Sequence, residues 1–439
     1  MLAGVLVLMS AHAFLTVWLS TSGLNYTVLR LWKEIIVALC AVPVVIIALR
    51  NPAIFKQFMR SRLMLLIVAF IALQLIAGAI SYATGHVSLK ALGYGLIVNI
   101  RFLVFFLLCA FVANRTDWLR VHWRTIVLVP AIAVIIFGLL QFFVLPADVL
   151  KHFGYGPDTI PAQSLIDNNA DYPRVQSLQR GANPLGAYLV IVLTTLTVLI
   201  ATRNHIRFWR ILLLTAGTLC LLLTFSRSAW LGMAASGTLA VFLCTKTKRQ
   251  RRIAVGTVIA LVILFAGSLL LLNSNHRYQD IVFHTSSSSR ASQSSNAAHA
   301  SAKMEGLKEV LHSPLGEGPG TAGPASIYNA MQPARVSENY FLQVGQEVGW
   351  LGLALFVLIL AALARGWYIE RQATLNRVML ASLVGMVVIS MLWHGFTDDT
   401  LAYIWWGLAG IAYGSQIARE QERMQRHEAQ KAHKATKKA

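Results

Sequence analysis

The sequence has little charge and few cysteines for its length. Only 13% of its 439 residues are Asp, Glu, Lys or Arg, whereas 56% are hydrophobic. A water-soluble core cannot bury so large an apolar fraction, so this composition excludes an ordinary soluble enzyme. The cysteines, Cys40, Cys109, Cys220 and Cys244, all lie in apolar segments without CxxC spacing. They are typical of small core residues and not of disulfides or metal ligands.

Several catalytic motifs are also missing. The sequence contains no Walker loop, no GxSxG elbow and no HExxH pair, so ATP hydrolysis and serine chemistry have no support. Four external histidines, His284, His299, His312 and His394, lack the spacing of metal ligands. We therefore expect neither a metal nor another cofactor.

Long apolar runs recur along the whole chain. Each run of about 20 residues is long enough to cross a hydrocarbon core as a helix, and no period-two alternation indicates a β-barrel. The first run lacks a small-residue cleavage site and is expected to remain as a span. The sequence predicts an all-α, polytopic transmembrane bundle of about 12 spans, at residues 2–20, 31–49, 63–81, 92–113, 125–145, 184–202, 211–225, 229–244, 253–272, 341–364, 378–393 and 400–418.

The net charge of +20 lies in short clusters between these spans and in the tail. No separate basic domain is visible, so this charge favours contact with membrane lipids and not with nucleic acid. Because Lys and Arg are retained in cytoplasmic loops, the clusters predict a cytoplasmic N-terminus. Two long external loops then remain, at residues 146–183 and 273–340.

This topology divides the chain into five parts. Residues 1–124 hold spans one to four, and residues 125–272 hold spans five to nine with the first external loop. The large loop, 273–340, has a serine-rich stretch at 285–295, a predicted short helix at about 298–311 and a glycine-rich turn at 313–320. Residues 341–418 hold the last three spans, and residues 419–439 form a basic cytoplasmic tail.

Arg180 and Asn183 directly precede the sixth span. Asn183 is suited to cap that helix, and Pro184 fits its first turn. A helix N-terminus beside a guanidinium is a natural site for phosphate, because backbone donors and fixed positive charge converge there. Helix capping without any ligand explains the pattern equally well.

Two arginines fall within the apolar segments. Arg227 is the only charge in a stretch of more than thirty apolar or small residues, and an ionisable residue at membrane depth indicates function by default. The alternative is an arginine that reaches the outer headgroups. Arg101, inside the fourth span, supports a weaker version of the same argument.

The large loop leads into the tenth span through Glu338 and Asn339. A carboxylate at a hydrophobic boundary can have its pKa raised and can act as a general base, although a helix cap is the simpler role for Glu338. Glu347, nine residues further on, would be buried and could pair with a buried arginine. His394 is an external histidine beside two acids, Asp398 and Asp399.

Four segments together resemble the O-antigen ligase and polymerase superfamily. They are RGANPLGAYL at 180–189, LTFSRSAWL at 223–231, HSPLGEGPG at 312–320 and ENYFLQVGQEVGWLGL at 338–353. The last two are the most specific, and the similarity extends loosely from the fifth span to the twelfth. The first four spans contribute only hydropathy.

The resemblance implies a GT-C-like, metal-independent, inverting glycosyltransferase in the bacterial inner membrane with its active site facing the periplasm. Its donor would be an undecaprenyl-diphosphate-linked glycan, and its acceptor a glycan or glycolipid. Arg180 and Arg227 would bind the diphosphate, with Asn183, Asn339, Arg101 and His394 as weaker candidates for substrate contacts. In members of the superfamily that this chain resembles, a histidine precedes the asparagine of the last block, whereas this chain has Glu338 at that position. Either Glu338 or a histidine such as His394 or His299 would then be the base, and ligation and polymerisation both stay open.

Two other classes of function compete with this one. A secondary transporter or lipid-linked-glycan flippase would also be polytopic and basic, but such proteins commonly have related halves and charges near the midplane. A non-catalytic partner in an envelope assembly is the third hypothesis.

Overall fold

A computed structural model describes residues 1–166, 169–202, 207–245, 247–252 and 295–436, together with residues 256 and 267. The predicted ninth span and the serine-rich stretch lie almost entirely outside these residues. Helices account for most of the part that is described.

The first 143 residues form eight helices: α1 Leu2–Leu8, α2 His12–Ser20, α3 Tyr26–Leu29, α4 Trp32–Arg50, α5 Pro52–Met59, α6 Arg62–Ala83, α7 Leu89–Arg115 and α8 Asp117–Phe143. A 3-10 turn, Met9–Ala11, joins α1 to α2. The described residues that follow contribute α9 Ala182–Ala201, α10 Phe208–Leu223, α11 Arg227–Cys244, α12 Ser295–His312, α13 Tyr340–Ile369, α14 Thr374–Ser390 and α15 Asp399–Thr436.

Seven helical segments among the described residues are long and apolar enough to cross a membrane. They are Leu2–Ser20, Tyr26–Arg50, Arg62–Ala83, Leu89–Arg115, Asp117–Phe143, Ala182–Ala201 and Tyr340–Ile369. Helices α10, α11, α14 and α15 occupy the predicted positions of spans seven, eight, eleven and twelve. The expectation of a polytopic helical membrane protein is confirmed.

The helices differ sharply in burial. Most side chains of α9 are buried, whereas α4 leaves Leu39, Val42 and Ile46 exposed. Large apolar side chains on the outer surface of a bundle are suited to lipid contact, since lipid tails are as apolar as leucine. Helix α9 therefore lies at the centre of the bundle and α4 at its periphery.

Helices α7 and α15 approach each other closely through small residues. Gly410 and Gly414 form a GxxxG spacing, and a Cβ at either position would overlap the backbone of α7, at Phe106 and Ala110 respectively. Small residues allow helix backbones to come close where no hydrophobic effect drives helices together in lipid. This contact holds the middle of the apolar part of α15 against α7.

The loop at residues 146–183 contains the strands that the structure describes, which departs from a purely helical expectation. β1, Ser164–Ile166, pairs antiparallel with β2, Asn169–Arg174, in a register that brings Ser164 opposite Arg174. The loop also has a 3-10 turn at Val149–Phe153. The hairpin is too short to have a detectable period-two pattern.

The glycine-rich turn and the start of α13 form one unit. Helix α13 is broken at Val348 and Gly349, where Gly349 has a left-handed φ of 67°. The turn enters this break, because the Trp350 N–H donates to the Pro314 carbonyl at 2.9 Å and the Gly318 N–H donates to the Glu347 carbonyl at 2.7 Å. The prediction of a folded turn at 313–320 and of a helix before it is confirmed.

Candidate functional site

Arg180 lies in the loop before α9 and contacts the start of α15. Its Nε donates to Oδ2 of Asp398 at 2.9 Å, and its guanidinium lies over the Trp393 ring, 5.8 Å from the centroid. The terminal Nη1 and Nη2 have no hydrogen-bond partner among the described residues, and the side chain is 44% exposed. Two parallel donors of one guanidinium therefore face away from their anchor.

Asp398 is held firmly in place. It is completely buried, and its Oδ1 accepts hydrogen bonds from the backbone N–H groups of Thr400 and Leu401 in the first turn of α15. A carboxylate at a helix N-terminus is stabilised by these orphan donors. The orientation of Arg180 is thus fixed by the beginning of a buried helix.

Asn183 does not cap α9, so that expectation is wrong. The helix begins at Ala182 with Gly181 before it, and Asn183 lies inside its first turn. The side-chain oxygen of Asn183 instead accepts from Nη2 of Arg174 at 2.6 Å. The Nε of Arg174 also donates to the Thr224 carbonyl at 2.8 Å. Arg174 therefore links the first turn of α9 to the turn that precedes Arg227.

Arg227 is the first residue of α11, next to the turn that Arg174 holds. Phe225 in this turn has a left-handed φ of 48°, a conformation that costs energy in a residue with a side chain. Ser226 packs against Gly186 of α9, where a Cβ would lie 3.1 Å from it. The tight turn brings Arg227 to the same end of the bundle as the start of α9.

Glu338 and Asn339 begin α13 at this end of the bundle. Glu338 is half-buried and has a φ of 50°. Asn339 is the N-cap, because its side-chain oxygen accepts from the N–H groups of Phe341 and Leu342 at 2.9 and 3.2 Å. The cap role considered for Glu338 thus belongs to its neighbour.

His394 lies at this end as expected, but its side chain is buried, with 5% exposed. The reason is Phe396, whose ring packs against Trp405 and Trp406 and draws the connection between α14 and α15 into the core. Neither ring nitrogen of His394 has a hydrogen-bond partner among the described residues.

The electrostatic surroundings of His394 connect it to the other candidates. Burial lowers the pKa of His394 to about 4, the negative charge of Glu338 opposes that shift, and the positive charge of Arg180 adds to it. The imidazole is therefore neutral at pH 7 and lies within the electrostatic reach of both residues.

Arg101 lies in a separate, buried ion cluster. It contacts Glu34 at 2.9 Å, Asp399 at 2.5 Å and the Thr397 carbonyl at 2.9 Å. Lys33 lies 3.8 Å from the same Asp399 carboxylate. This cluster connects α4 and α7 to the start of α15, next to the aspartate that anchors Arg180.

Glu347 is buried, as the sequence predicts, but it pairs with no arginine in the described structure. Its carboxylate accepts from Asn99 at 2.6 Å, from the Gly320 N–H at 2.9 Å and from Gln343 at 3.4 Å. The expected arginine partner is wrong because α7 presents an amide at this depth. Glu347 therefore holds the glycine-rich turn in the break of α13.

The opposite end of the bundle has its own charged groups. Arg419 and Arg423 of α15 pair with Glu370, which follows α13. Arg419 lies 21 residues beyond Asp398, or about 30 Å along a helix. Arg180, Arg227, Glu338 and His394 are thus gathered at one end of the bundle, away from Glu370, Arg419 and Arg423.

Sequence reasoning gave no role to Arg174, Trp393, Lys33 or Glu34, and it named Asp399 only as a neighbour of His394. Charged residues inside the second predicted span were the available signal, yet that segment contributed only hydropathy. His284 lies outside the described residues, as does the side chain of His299. Within the described ranges, no group of three or more His, Cys, Asp or Glu residues could hold a metal ion.

Comparison with known proteins identifies one segment of the chain that matches a described family. No curated protein matches the chain. Residues 211–357, which include Arg227, the glycine-rich turn and Glu338, match the family described as O-antigen ligase. The resemblance found in the sequence is therefore confirmed over this segment. The chain is thus a polytopic helical membrane protein whose residues 211–357 are similar to the O-antigen ligase family.

Proposed function

We propose that this protein transfers a glycan from undecaprenyl diphosphate to an acceptor hydroxyl, on a lipid anchor or on a growing surface polysaccharide. The single observation that carries the proposal is the state of Arg180. Its guanidinium is anchored through Nε, its side chain is 44% exposed, and its charge and that of Glu338 both act on His394.

The exposed nitrogens suit a diphosphate. A guanidinium presents parallel donors that match two phosphate oxygens, and charge-assisted bonds of this kind are short and strong. Arg227, at the same end of the bundle, supplies a second positive charge. Together the two arginines would stabilise the negative charge that develops on the leaving diphosphate.

Arg101 is not part of this diphosphate site. Glu34 and Asp399 already neutralise its guanidinium at 2.9 and 2.5 Å. We assign it to the support of α15, and Asn339 to the capping of α13. Asn183 supports the site through Arg174, which it holds against the turn before Arg227.

Glu338 is the proposed base. Its carboxylate removes the proton of the acceptor hydroxyl as that oxygen attacks the anomeric carbon of the donor sugar. The bond from this carbon to the diphosphate oxygen breaks, its electron pair leaves with the diphosphate, and the configuration is inverted. His394 acts on Glu338 only through its surroundings in this scheme, because its neutral imidazole lies within electrostatic reach of the carboxylate and makes no hydrogen bond among the described residues.

The site faces the periplasm in this proposal. The basic clusters and the ion pairs of Glu370 lie at the other end of the bundle, and basic groups are retained on the cytoplasmic side. A donor in the inner membrane would then present its diphosphate at the outer headgroups. The enzyme would receive lipid-linked glycan already moved across the membrane.

The test uses purified full-length protein in lipid nanodiscs with a lipid-linked glycan donor and a glycan acceptor. We expect Glu338→Gln and Arg227→Ala to lower transfer by at least about 100-fold, because each removes a group that acts in the transition state. The control is Glu422→Gln, which changes a carboxylate of the cytoplasmic part of α15 and is expected to retain activity.

Two outcomes would contradict the proposal. Undiminished transfer by Glu338→Gln would assign the base to another residue. Vesicles that move a labelled lipid-linked glycan without forming a glycosidic bond would support a flippase instead.

A further inference from the structure

A cavity of about 400 Å³ lies between α12 and residues 332–337 of the large loop. Pockets for small ligands commonly have about 300 to 1,000 Å³, so the cavity is large enough for part of a glycan. It ends at Ser337, the residue before the proposed base, and Gln346 of α13 lines its inner side.

One wall of the cavity is a single face of α12. Ala302, Glu305, Gly306 and Glu309 line it, and their spacing of three, four and seven residues places them on one side of a helix. This wall is fixed close to the loop at Gly306, where a Cβ would lie 2.8 Å from the Cβ of Ser337.

Helix α12 is also fixed to α13. The Trp350 Nε1–H donates to the Val310 carbonyl at 2.8 Å, and Gly345 packs against the Val310 side chain. The wall is therefore a firm surface and not a loose segment of the external loop.

The opposite wall is held by Arg335. Its backbone N–H donates to the Ser326 hydroxyl at 2.9 Å, and its Nε donates to the Thr321 carbonyl at 3.0 Å. Its terminal nitrogens pair with Glu317 at 2.7 Å and with Glu309 at 3.6 Å. The only cationic side chain in the lining is thus already neutralised within the described structure.

The residues that line the cavity indicate the chemical class of its ligand. Glu305 makes no ion pair with any described residue, and with Glu309 it leaves an excess of carboxylate, which disfavours a phosphate. Among the described residues that line the cavity there is no aromatic side chain, and Val336 is the one large aliphatic side chain, which disfavours an acyl chain. Carboxylates and backbone carbonyls are acceptors for hydroxyl groups, so the lining favours an uncharged or amino-substituted sugar.

We propose that this cavity is the acceptor subsite, which binds the terminal sugars of the acceptor glycan and presents their hydroxyl to Glu338. The proposal rests on the proposed function, because it assigns the glycan to the side of the base and the diphosphate to Arg180 and Arg227. The glycan could come from a second copy of the donor, in polymerisation, or from a membrane glycolipid, in ligation.

The experiment fills the cavity with Ala302→Trp and uses Ala300→Trp as a matched control. Ala300 is exposed on the same helix, about 200° around the axis from Ala302. The probes are the oligosaccharide released from the donor by mild acid and the oligosaccharide released from membrane glycolipids of the same bacterium. Full-length protein in nanodiscs is assayed for transfer, and binding of each probe is measured separately by saturation-transfer NMR.

We expect Ala302→Trp to raise the acceptor KM by about tenfold or more with kcat and the donor KM nearly unchanged, since only ground-state binding is removed. Glu305→Gln should raise the same KM by a smaller factor, and Ala300→Trp should change neither. The probe that saturates wild-type protein identifies polymerisation or ligation as its source.

An unchanged acceptor KM in Ala302→Trp would overturn the proposal, as would a rise confined to the donor KM. Failure of the proposed function is a different result, because wild-type protein would then form no glycosidic bond. In that case the NMR measurement decides whether the cavity binds a glycan. Probe binding that Ala302→Trp abolishes and Ala300→Trp preserves would support a glycan site in the cavity. Equal binding by both variants would reject such a site.

Discussion

Replacement of Arg180 by lysine separates the geometry of the guanidinium from its charge. In the structure, one nitrogen of Arg180 binds the buried Asp398 carboxylate while two others remain exposed. A lysine has a single nitrogen, so it cannot bind Asp398 and clamp two phosphate oxygens at once. We expect the loss of about one charge-assisted contact in the transition state.

The magnitude follows from that contact. Removing one preorganised donor costs about 2 to 3 kcal/mol, which corresponds to a fall of about 30- to 150-fold in kcat/KM for the lipid-linked donor. Arg180→Ala also removes the positive charge and should lower kcat/KM by about 1,000-fold. Both variants should remain in the membrane, because Arg180 is not part of the apolar core.

The assay measures kcat/KM for donor in nanodiscs, with a thermal unfolding curve for each variant to confirm the fold. The matched control is Arg120→Lys, since Arg120 pairs with Asp117 and Glu422 at the other end of the bundle. Its kcat/KM should stay within about twofold of the wild type. A wild-type kcat/KM in Arg180→Lys would refute the assignment of the terminal nitrogens to the diphosphate.

Three further predictions concern stability. The pKa of His394 is lowered from 6.5 to about 4, so between these pH values the unfolded chain binds a proton that the folded chain does not. The free energy of unfolding should be constant above pH 6.5 and fall by about 3 kcal/mol as the pH drops to 4. The measurement is Tm as a function of pH, and His394→Gln should flatten this dependence. Gly349→Ala should cost about 2 to 5 kcal/mol in the free energy of unfolding, because its φ is 67° and a Cβ would overlap the Pro314 carbonyl. Glu347→Ala should cost about 3 kcal/mol by leaving buried donors unpaired, with Glu347→Gln milder, as followed by denaturant unfolding.

Each of these has a control or a contradictory result. Gly93 lies inside α7 with nothing within 4 Å of its would-be Cβ, so Gly93→Ala should stabilise by about 0.5 to 1 kcal/mol. Equal effects at Gly93 and Gly349 would reject the argument from the helix break. A Tm that changes with pH equally in wild type and His394→Gln would mean that another group titrates, and a neutral Glu347→Ala would mean that water satisfies Asn99 and Gly320.

The sequence by itself determined the membrane-spanning helices and the family segment. Apolar runs such as 63–81 and 92–113 are predicted as helices from local sequence alone, because a backbone in lipid must satisfy its hydrogen bonds within one helix. The glycine-rich turn and the 338–353 block were recognisable for a similar reason, since glycine at a left-handed φ has few substitutes. Gly316 and Gly349, which have such backbones, belong to these two blocks.

Only the tertiary structure decided which polar groups meet. Arg180 and Asp398 are 218 residues apart in the chain, and Asn99 lies 248 residues from Glu347, so no local pattern indicates either pair. The burial of His394 follows from the packing of Phe396 in a distant aromatic core, and the assignment of Arg101 to an ion cluster follows from its position opposite Glu34 and Asp399. Hydropathy specifies that a helix crosses the membrane, but helix rotation and neighbours, which are set by side-chain packing over the whole bundle, decide what each charged residue contacts.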